Sequence, residues 1–164
     1  MKRHQGWLAA GLLVFAVLAC NLSKNSNNSN NSNSNSNRNN NSNSPVTNRP
    51  ANADVFVEQL TMAKDENGKP GDSTTVFEPS DHKIHCVMNL NKAKGGTKIR
   101  TVWVAADAEG ASNQQLKSLD YTTNSFEKRI SGYLTKTTDW PKGTYRVEVY
   151  VNGNLDKTID YTVE

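Results

Sequence analysis

The chain has 164 residues and a formal net charge of +3, from 19 Lys and Arg against 16 Asp and Glu. Five of the basic residues and no acidic residue lie in the first 52 positions, so residues 53–164 carry 14 basic against 16 acidic side chains and a net charge of −2. This balance leaves no basic surface for nucleic acid. The 112 residues from 53 onward suffice for one small domain and are too few for two.

The chain begins with the pattern of a signal peptide. Lys2, Arg3 and His4 provide a positive start, and "WLAAGLLVFAVLA", from Trp7 to Ala19, is an uncharged apolar run of 13 residues. A membrane-spanning helix needs about 20 such residues. The run is therefore too short for a permanent span and is predicted to be the helical core of a signal that is cleaved off.

The apolar run ends in "VLAC", Val17 to Cys20. This motif resembles the lipobox of bacterial lipoprotein precursors, in which the cysteine thiol receives a diacylglyceryl group, the bond before it is cleaved and the new amino terminus is usually acylated. The resemblance implies a signal peptide at 1–19, lipidation of Cys20 and attachment to the membrane of the bacterial envelope through that lipid. Asn21 stands where an Asp would favour retention in the inner membrane, which implies the outer membrane. The alternative is an ordinary secretory signal with a cysteine near its cleavage region.

Residues 20–52 are predicted to be the lipidated cysteine and a disordered linker. Asn25–Ser44 contains 12 Asn, seven Ser and Arg38. With no apolar side chain to bury, this tract cannot offset the entropy lost on ordering its backbone. Asn-rich tracts can also aggregate, and Asn-x-Ser triplets can be glycosylated. The interspersed serines and the bacterial lipobox favour a passive tether with a span of roughly 30 Å.

Short alternating runs after the linker predict a domain of β-strands at 53–164. The alternation is clearest at Tyr145–Val151 and Ile159–Val163, and the Asn-Gly between these strands predicts a tight hairpin. Further predicted strands cover residues 84–90 and 99–105 and, from weaker patterns, 55–63, 115–121 and 126–134. The stretch 114–119 allows a short helical turn instead.

About seven short strands without a helical stripe predict an all-β sandwich. The closing segment "GTYRVEVYVNGNLDKTIDYTV" resembles the last two strands of immunoglobulin-like domains from bacterial envelope proteins, with Tyr145 and Tyr161 at the aromatic positions. Trp103 occupies the place of the central Trp of such a sandwich. The resemblance implies an immunoglobulin-like antiparallel β-sandwich. Because Cys20 is assigned to the lipid, Cys86 has no disulfide partner and is predicted to be buried.

Two residues are candidates for contact with a ligand or partner. Trp140, at a strand entry, can stack on a sugar or anchor a protein, although packing beneath its own loop is the favoured interpretation. Tyr150 faces outward in the alternation of its strand. The stretch "DHKIHC" contains residue types that bind metal ions. In a strand, however, His85 and Cys86 would point to opposite faces, so no metal is predicted.

The sequence therefore predicts a lipid-anchored envelope protein that presents one β-sandwich on a flexible tether and acts by binding or structural support. No nucleophile elbow, phosphate loop or paired-carboxylate signature indicates an enzyme, and no cofactor is expected. The expected partners are the membrane, through Cys20, and an envelope protein or a glycan. The alternatives are a carbohydrate or cell-wall binding module and an accessory subunit of an envelope assembly.

Overall fold

A computed structural model describes residues 43–164, which form ten β-strands and contain no helix able to cross a membrane. The predicted signal peptide, Cys20 and most of the predicted linker lie outside these residues. The strands are β1 (Val46–Thr47), β2 (Val57–Glu66), β3 (Lys69–Ser73), β4 (Val76–Phe77), β5 (Lys83–Leu90), β6 (Lys98–Ala108), β7 (Ala111–Thr122), β8 (Arg129–Thr135), β9 (Gly143–Val151) and β10 (Asn154–Val163).

The strands are arranged in two sheets. One has the order β3-β2-β5-β8, and the other has the order β1-β10-β9-β6-β7, with β4 also pairing with β10. All pairings are antiparallel except that of β4 with β10. In immunoglobulin domains strands A, B and E share one sheet, and strands C and C′ share the other with F and G. Here β2, β5 and β8 take the places of A, B and E, and β6, β7, β9 and β10 those of C, C′, F and G. The chain therefore forms the predicted all-β, immunoglobulin-like sandwich.

The core lies between the two sheets. Alternate residues of the strands face it, as the sequence pattern predicted, and Trp103 on β6 is completely buried among them. Cys86 is buried as predicted, and this burial raises the pKa of its thiol to about 12. The hydroxyl of Tyr145 donates to the carbonyl oxygen of Pro141 at 2.6 Å. A tyrosine that bonds back to the upstream backbone at this strand is a hallmark of immunoglobulin domains.

Two Asn-Gly pairs form tight hairpins. At Asn67 and Gly68 the φ angles are 53° and 85°, and at Asn152 and Gly153 they are 50° and 86°. Asn and Gly tolerate positive φ at both central positions of a hairpin turn, which matches the twist of the flanking strands. The hairpin between β9 and β10 confirms the prediction. For the stretch between β2 and β3 the sequence indicated only a turn, and the structure adds β3.

The stretch 114–119 lies within β7, so the helical-turn alternative is wrong. Its residues pair with β6 across a register shift at Trp103 and Val104. An extra residue in one strand interrupts the alternation of side chains, and this irregularity weakened the strand signal in the sequence.

The described strands include residues before 53, the predicted start of the domain. Val46 and Thr47 pair with β10, and the backbone amide of Asn48 donates to the carbonyl oxygen of Asp156 at 2.8 Å. This end of the predicted linker differs in composition from the Asn/Ser tract, because it contains an apolar residue and β-branched residues that suit the free edge of β10.

Candidate functional site

The sandwich is open along one side. β7 and β8 are the last strands of their sheets, and in the part of the chain that the structure describes no strand takes the place of immunoglobulin strand D beside β8. A groove with a volume of about 910 Å³ lies between the two edges. This volume is in the range of ligand pockets, roughly 300–1,000 Å³.

The register of β7 explains why the groove is apolar. Leu119 pairs with Thr101, and Tyr121 pairs with Ile99. Since Thr101 and Ile99 are buried against the opposite sheet, Leu119 and Tyr121 face the same way. The opposite sheet ends at β8 and does not reach over them, and Tyr121 is 43% exposed. Further apolar residues that line the groove are Met88, Leu116, Ile130 and Leu134.

Gly132 opens the middle of the groove. It lies on β8 between Ile130 and Leu134, in the register that faces the other sheet. A Cβ atom at this position would approach Thr101 Oγ1 at 3.8 Å and Leu119 Cδ1 at 3.9 Å, which are ordinary van der Waals distances. The missing side chain therefore widens the groove, and a Cβ atom can be added there without displacing the backbone.

The rim of the groove carries basic side chains without acidic partners. Of its two acidic residues, Asp120 forms an ion pair with Arg100 at 2.7 Å, whereas Glu127 accepts from the neutral hydroxyl of Tyr121 at 2.5 Å and keeps its charge. The basic rim residues that form no ion pair within residues 43–164 are Lys117, Arg129 and Lys136. An apolar base with unpaired cations above it suits a ligand that combines apolar and anionic groups.

Trp140 forms one end of the groove but is only 3% exposed. Its indole Nε1 donates to the carbonyl oxygen of Asp81 at 2.9 Å, and its ring packs edge-on against Tyr145 with the centroids 5.6 Å apart. The ammonium of Lys136 lies 5.5 Å from the ring centroid. Trp140 therefore packs beneath its own loop. Contact of Trp140 with a ligand stays a prediction.

Tyr150 lies away from the groove, on the opposite face of its sheet. It pairs with Arg100 on β6, is half-buried and donates its hydroxyl to Glu148 at 2.8 Å. This hydrogen bond raises the pKa of the phenol. The structure therefore does not bring Trp140 and Tyr150 together, and the role of Tyr150 as a partner contact also stays a prediction.

The "DHKIHC" segment is divided between three environments. His82 lies 3.0 Å from Asp139, the Nε2 of buried His85 lies 2.7 Å from Asp65 Oδ1, and Cys86 belongs to the core. No three metal-ligating side chains converge within residues 43–164. The bond from His85 is the main reason that the pKa of Asp65 falls to about 2. Ionised Asp65 therefore stabilises the fold above pH 3.8, its ordinary pKa, and this contribution is lost as the pH falls through about 2.

A buried carboxylate, that of Asp156, joins the two sheets. Asp156 is 1% exposed and lies at the register shift of β10. Its Oδ2 accepts from the backbone amide of Val57 on β2 at 3.2 Å, while Arg49 lies 4.0 Å from Oδ1. Burial is the largest influence on this group, and it raises the pKa of the carboxyl above its ordinary value.

Asp156→Asn is expected to raise the melting temperature at pH 7 by roughly a few degrees. The amide keeps an oxygen for the Val57 N–H and removes the buried charge, whereas Asp156→Ala leaves that N–H without an acceptor and costs about 1–3 kcal/mol. A raised pKa means that folding favours the protonated carboxyl. The stability that this protonated group contributes to the wild type is therefore lost as the pH rises through the folded pKa. The gain from Asn should vanish below pH 3.8. Thermal unfolding across pH checks this, and a wild type more stable than the Asn variant at pH 7 would contradict it.

The sequence analysis missed the groove. Its apolar side chains on β7 alternate like those of any buried strand face, so their pattern does not show that the facing sheet stops short. One signal was available, because only residues 123–128 separate β7 from β8. Six residues are too few for a further strand with a turn at each end.

The fold and the groove define a class of protein. It is an immunoglobulin-like β-sandwich with an apolar groove along its open edge and basic residues on the rim of that groove. No family model and no curated protein sequence matches the chain. An immunoglobulin-like protein of Pseudomonas aeruginosa resembles it with a TM-score of 0.48 and 15% identity, over 70% of this chain and 100% of that one. The alkylpurine DNA glycosylase AlkC of Pseudomonas fluorescens, bound to DNA containing an abasic site analogue, gives a TM-score of 0.43 and 16% identity, over 68% of this chain and 31% of that one. The fold assignment rests on the strand order and pairing of this chain itself.

Proposed function

We propose that this protein is a lipid-anchored protein of the bacterial envelope that binds a partner through the open groove of its immunoglobulin-like domain. The observation that carries the binding role is the uncovered apolar surface between β7 and β8, with unpaired cations on its rim. Uncovered apolar patches bordered by polar residues are typical of interaction sites. The anchoring role is supported by the apolar run that ends in "VLAC" at Cys20.

Lipid at Cys20 would hold the protein firmly. Each buried methylene contributes about 0.8 kcal/mol, so one acyl chain binds a membrane reversibly and two or more chains give stable attachment. A diacylglyceryl group already supplies two. Attachment to the membrane raises the local concentration of the groove for any partner in the same envelope layer.

The described chain enters the domain at a place that leaves the groove free. β1 pairs with β10 at one end of its sheet, whereas β7 forms the other end. The backbone amide of Asn48 donates to the carbonyl oxygen of Asp156, and Arg49 donates to the carbonyl oxygen of Val57 and lies near the carboxylate of Asp156. These contacts hold the start of the described chain against the domain. A tether that arrives at β1 therefore need not cross the groove.

Cys20→Ser is the test of the anchor. We expect the wild-type protein to fractionate with membranes, and its intact mass to show a mature chain that begins at Cys20 and carries lipid. The variant should lose the lipid mass and appear in the soluble fraction, because no acyl chain is left to partition into the bilayer. A soluble wild-type protein that is cleaved elsewhere would overturn the anchoring proposal.

The binding role is tested with anilinonaphthalene sulfonate, an anionic apolar dye that matches the groove. The full-length Cys20→Ser chain should bind the dye with enhanced fluorescence, and Gly132→Val in the same background should weaken this binding at least tenfold. Ser73→Val is the matched control, since it adds the same side chain to an exposed position on β3, at the opposite edge of the same sheet. Equal dye binding by all three proteins would contradict a binding site in the groove.

A further inference from the structure

Within residues 43–164 no strand pairs with the outer edge of β8, so backbone groups beside the groove have no partner there. The carbonyl oxygen of Lys128 accepts from the amide of Leu90, and the amide of Lys136 donates to the carbonyl oxygen of His82, both at 2.8 Å. Residues that exchange hydrogen bonds alternate along an antiparallel strand. The even-numbered residues of this segment therefore bond to β5. The residues whose N–H and C=O groups point away from β5 are Arg129, Ser131, Tyr133 and Thr135.

The groove follows this edge over its whole length. Its lining extends along the chain from Glu127 to Lys136, and β8 itself has seven residues. At about 3.3 Å per residue, β8 is about 23 Å long. A long groove beside unpaired N–H and C=O groups matches the shape and the hydrogen-bonding pattern of an extended polypeptide.

We propose that the groove binds an extended peptide segment of a partner protein, which pairs with the edge of β8 and inserts alternate apolar side chains between the sheets. The peptide takes the place that strand D occupies in other immunoglobulin domains. Its inward side chains pack against Leu116, Leu119 and Tyr121, and the gap at Gly132 accommodates one of them. This inference rests on the proposed function and specifies the ligand of the same site. Strand addition of this kind takes affinity from backbone hydrogen bonds and specificity from side-chain pockets.

Charge complementarity determines the residues that alternate with the apolar ones. Lys117, Arg129 and Lys136 form no ion pair within residues 43–164, whereas Asp120 is paired with Arg100 and Glu127 is the one acidic rim residue left without a cation there, so the rim is net positive. Acidic side chains on the peptide would face solvent beside Arg129, which lies on the solvent face of β8, and the positive charges of Lys117 and Lys136 along the same groove would add to the attraction, whereas basic side chains would be repelled. The ligand is therefore a segment in which apolar and acidic residues alternate.

Two other occupants fit less well. The tract Asn25–Ser44 of this chain has neither an apolar nor an acidic side chain, so it can fill neither the base nor the rim. A fatty acid has an acyl chain for the base and a carboxylate for the rim, but it leaves the N–H and C=O groups of β8 unpaired. The unpaired edge is thus the observation that favours a peptide.

The test uses a capped peptide of about nine residues in which Val and Glu alternate, long enough to cover β8. Two control peptides are a block arrangement of the same residues and an alternating Val and Lys peptide. With the full-length Cys20→Ser chain, the Val/Glu peptide should bind at least tenfold more tightly than either control. It should also slow hydrogen exchange of the amides of Ser131 and Tyr133, which acquire acceptors.

Variants separate binding from folding. Gly132→Val should weaken peptide binding at least tenfold and leave the thermal unfolding temperature as high as before, while Ser73→Val, on β3 at the opposite edge of the same sheet, should keep the affinity. Arg129→Glu should reduce the preference for the acidic over the basic peptide, because one rim charge changes sign.

The outcomes distinguish this inference from the proposed function. Equal affinity for the three peptides, or binding that leaves exchange at Ser131 and Tyr133 unchanged, would overturn strand addition. Binding of dodecanoate in place of the peptide, lost in Gly132→Val, would overturn it in favour of a lipid ligand and leave the groove a binding site. If the peptide, dodecanoate and the dye all fail to bind, both proposals are overturned.

Discussion

Gly143→Ala is expected to destabilise the domain by about 3 kcal/mol or more. Gly143 begins β9 with a φ angle of 144°, and a Cβ atom there would lie 2.5 Å from the Cα of Ala108 and closer still to the carbonyl oxygen of Asp107. Both neighbours are backbone atoms of β6. They cannot move aside freely, because Gly143 pairs with Ala108 on one side and with Val163 on the other. The free energy of unfolding in urea, followed by circular dichroism, measures the loss.

Gly153→Ala is the matched control for this prediction. Gly153 also has a positive φ angle, 86°, but no atom lies within 4 Å of the position of its Cβ. Only backbone strain opposes this substitution, with a cost of about 1 kcal/mol. A similar loss in both variants would show that the approach of β6 to Gly143 does not constrain the fold.

Tyr161→Ala is expected to cost about 3–5 kcal/mol, the range for removal of a buried aromatic ring. Tyr161 on β10 is completely buried at the centre of an aromatic cluster. Its ring stacks on Tyr145 with the centroids 5.3 Å apart, and it meets Phe77 and Trp103 edge-on at 5.5 Å and 6.2 Å. These contacts join β4, β6, β9 and β10, which belong to one sheet, so the cavity would weaken the side of the core that this sheet contributes. Urea unfolding of the variant measures the cost.

Tyr161→Phe is the control, with an expected stability equal to or above that of the wild type. The hydroxyl of Tyr161 is buried and forms no hydrogen bond with any of residues 43–164, and burial raises its pKa. Replacing an unpaired buried hydroxyl with hydrogen removes a desolvation cost and keeps the shape of the ring. A loss of more than about 1 kcal/mol in the Phe variant would show that the hydroxyl has a partner in the folded protein.

These variants also aid the interpretation of the binding experiments. Gly143→Ala and Tyr161→Ala should lower binding only to the extent that they lower the folded fraction, since both act on the packing of the domain. Gly132→Val should lose binding alone, because its Cβ atom meets Thr101 and Leu119 only at ordinary van der Waals distances. Stability and affinity are measured for the same variants. The comparison distinguishes a loss of binding caused by unfolding from one caused by a side chain that fills the groove.

The hairpin of β9 and β10 shows how far sequence reasoning reached. Tyr145, Val147 and Val149 alternate with polar residues, and the Asn-Gly turn has a backbone preference of its own. These signals are local, so the strands, their pairing and their buried face were all predictable. The same holds for the burial of Cys86 and Trp103. The proposed anchor at Cys20 is also a sequence inference, since it depends on a short motif and its neighbours.

Only the tertiary structure revealed the groove and its unpaired edge. Leu119 and Tyr121 alternate as core residues do, and Gly132 looks like a weak point in a strand. Whether such residues are covered depends on which strands lie opposite them, and that is decided by the order of strands in two sheets. The attachment of Val46 and Thr47 to β10 depends on the same order. Local patterns determine which face of a strand is apolar, but contacts between strands distant in sequence determine whether that face is buried or available to a partner.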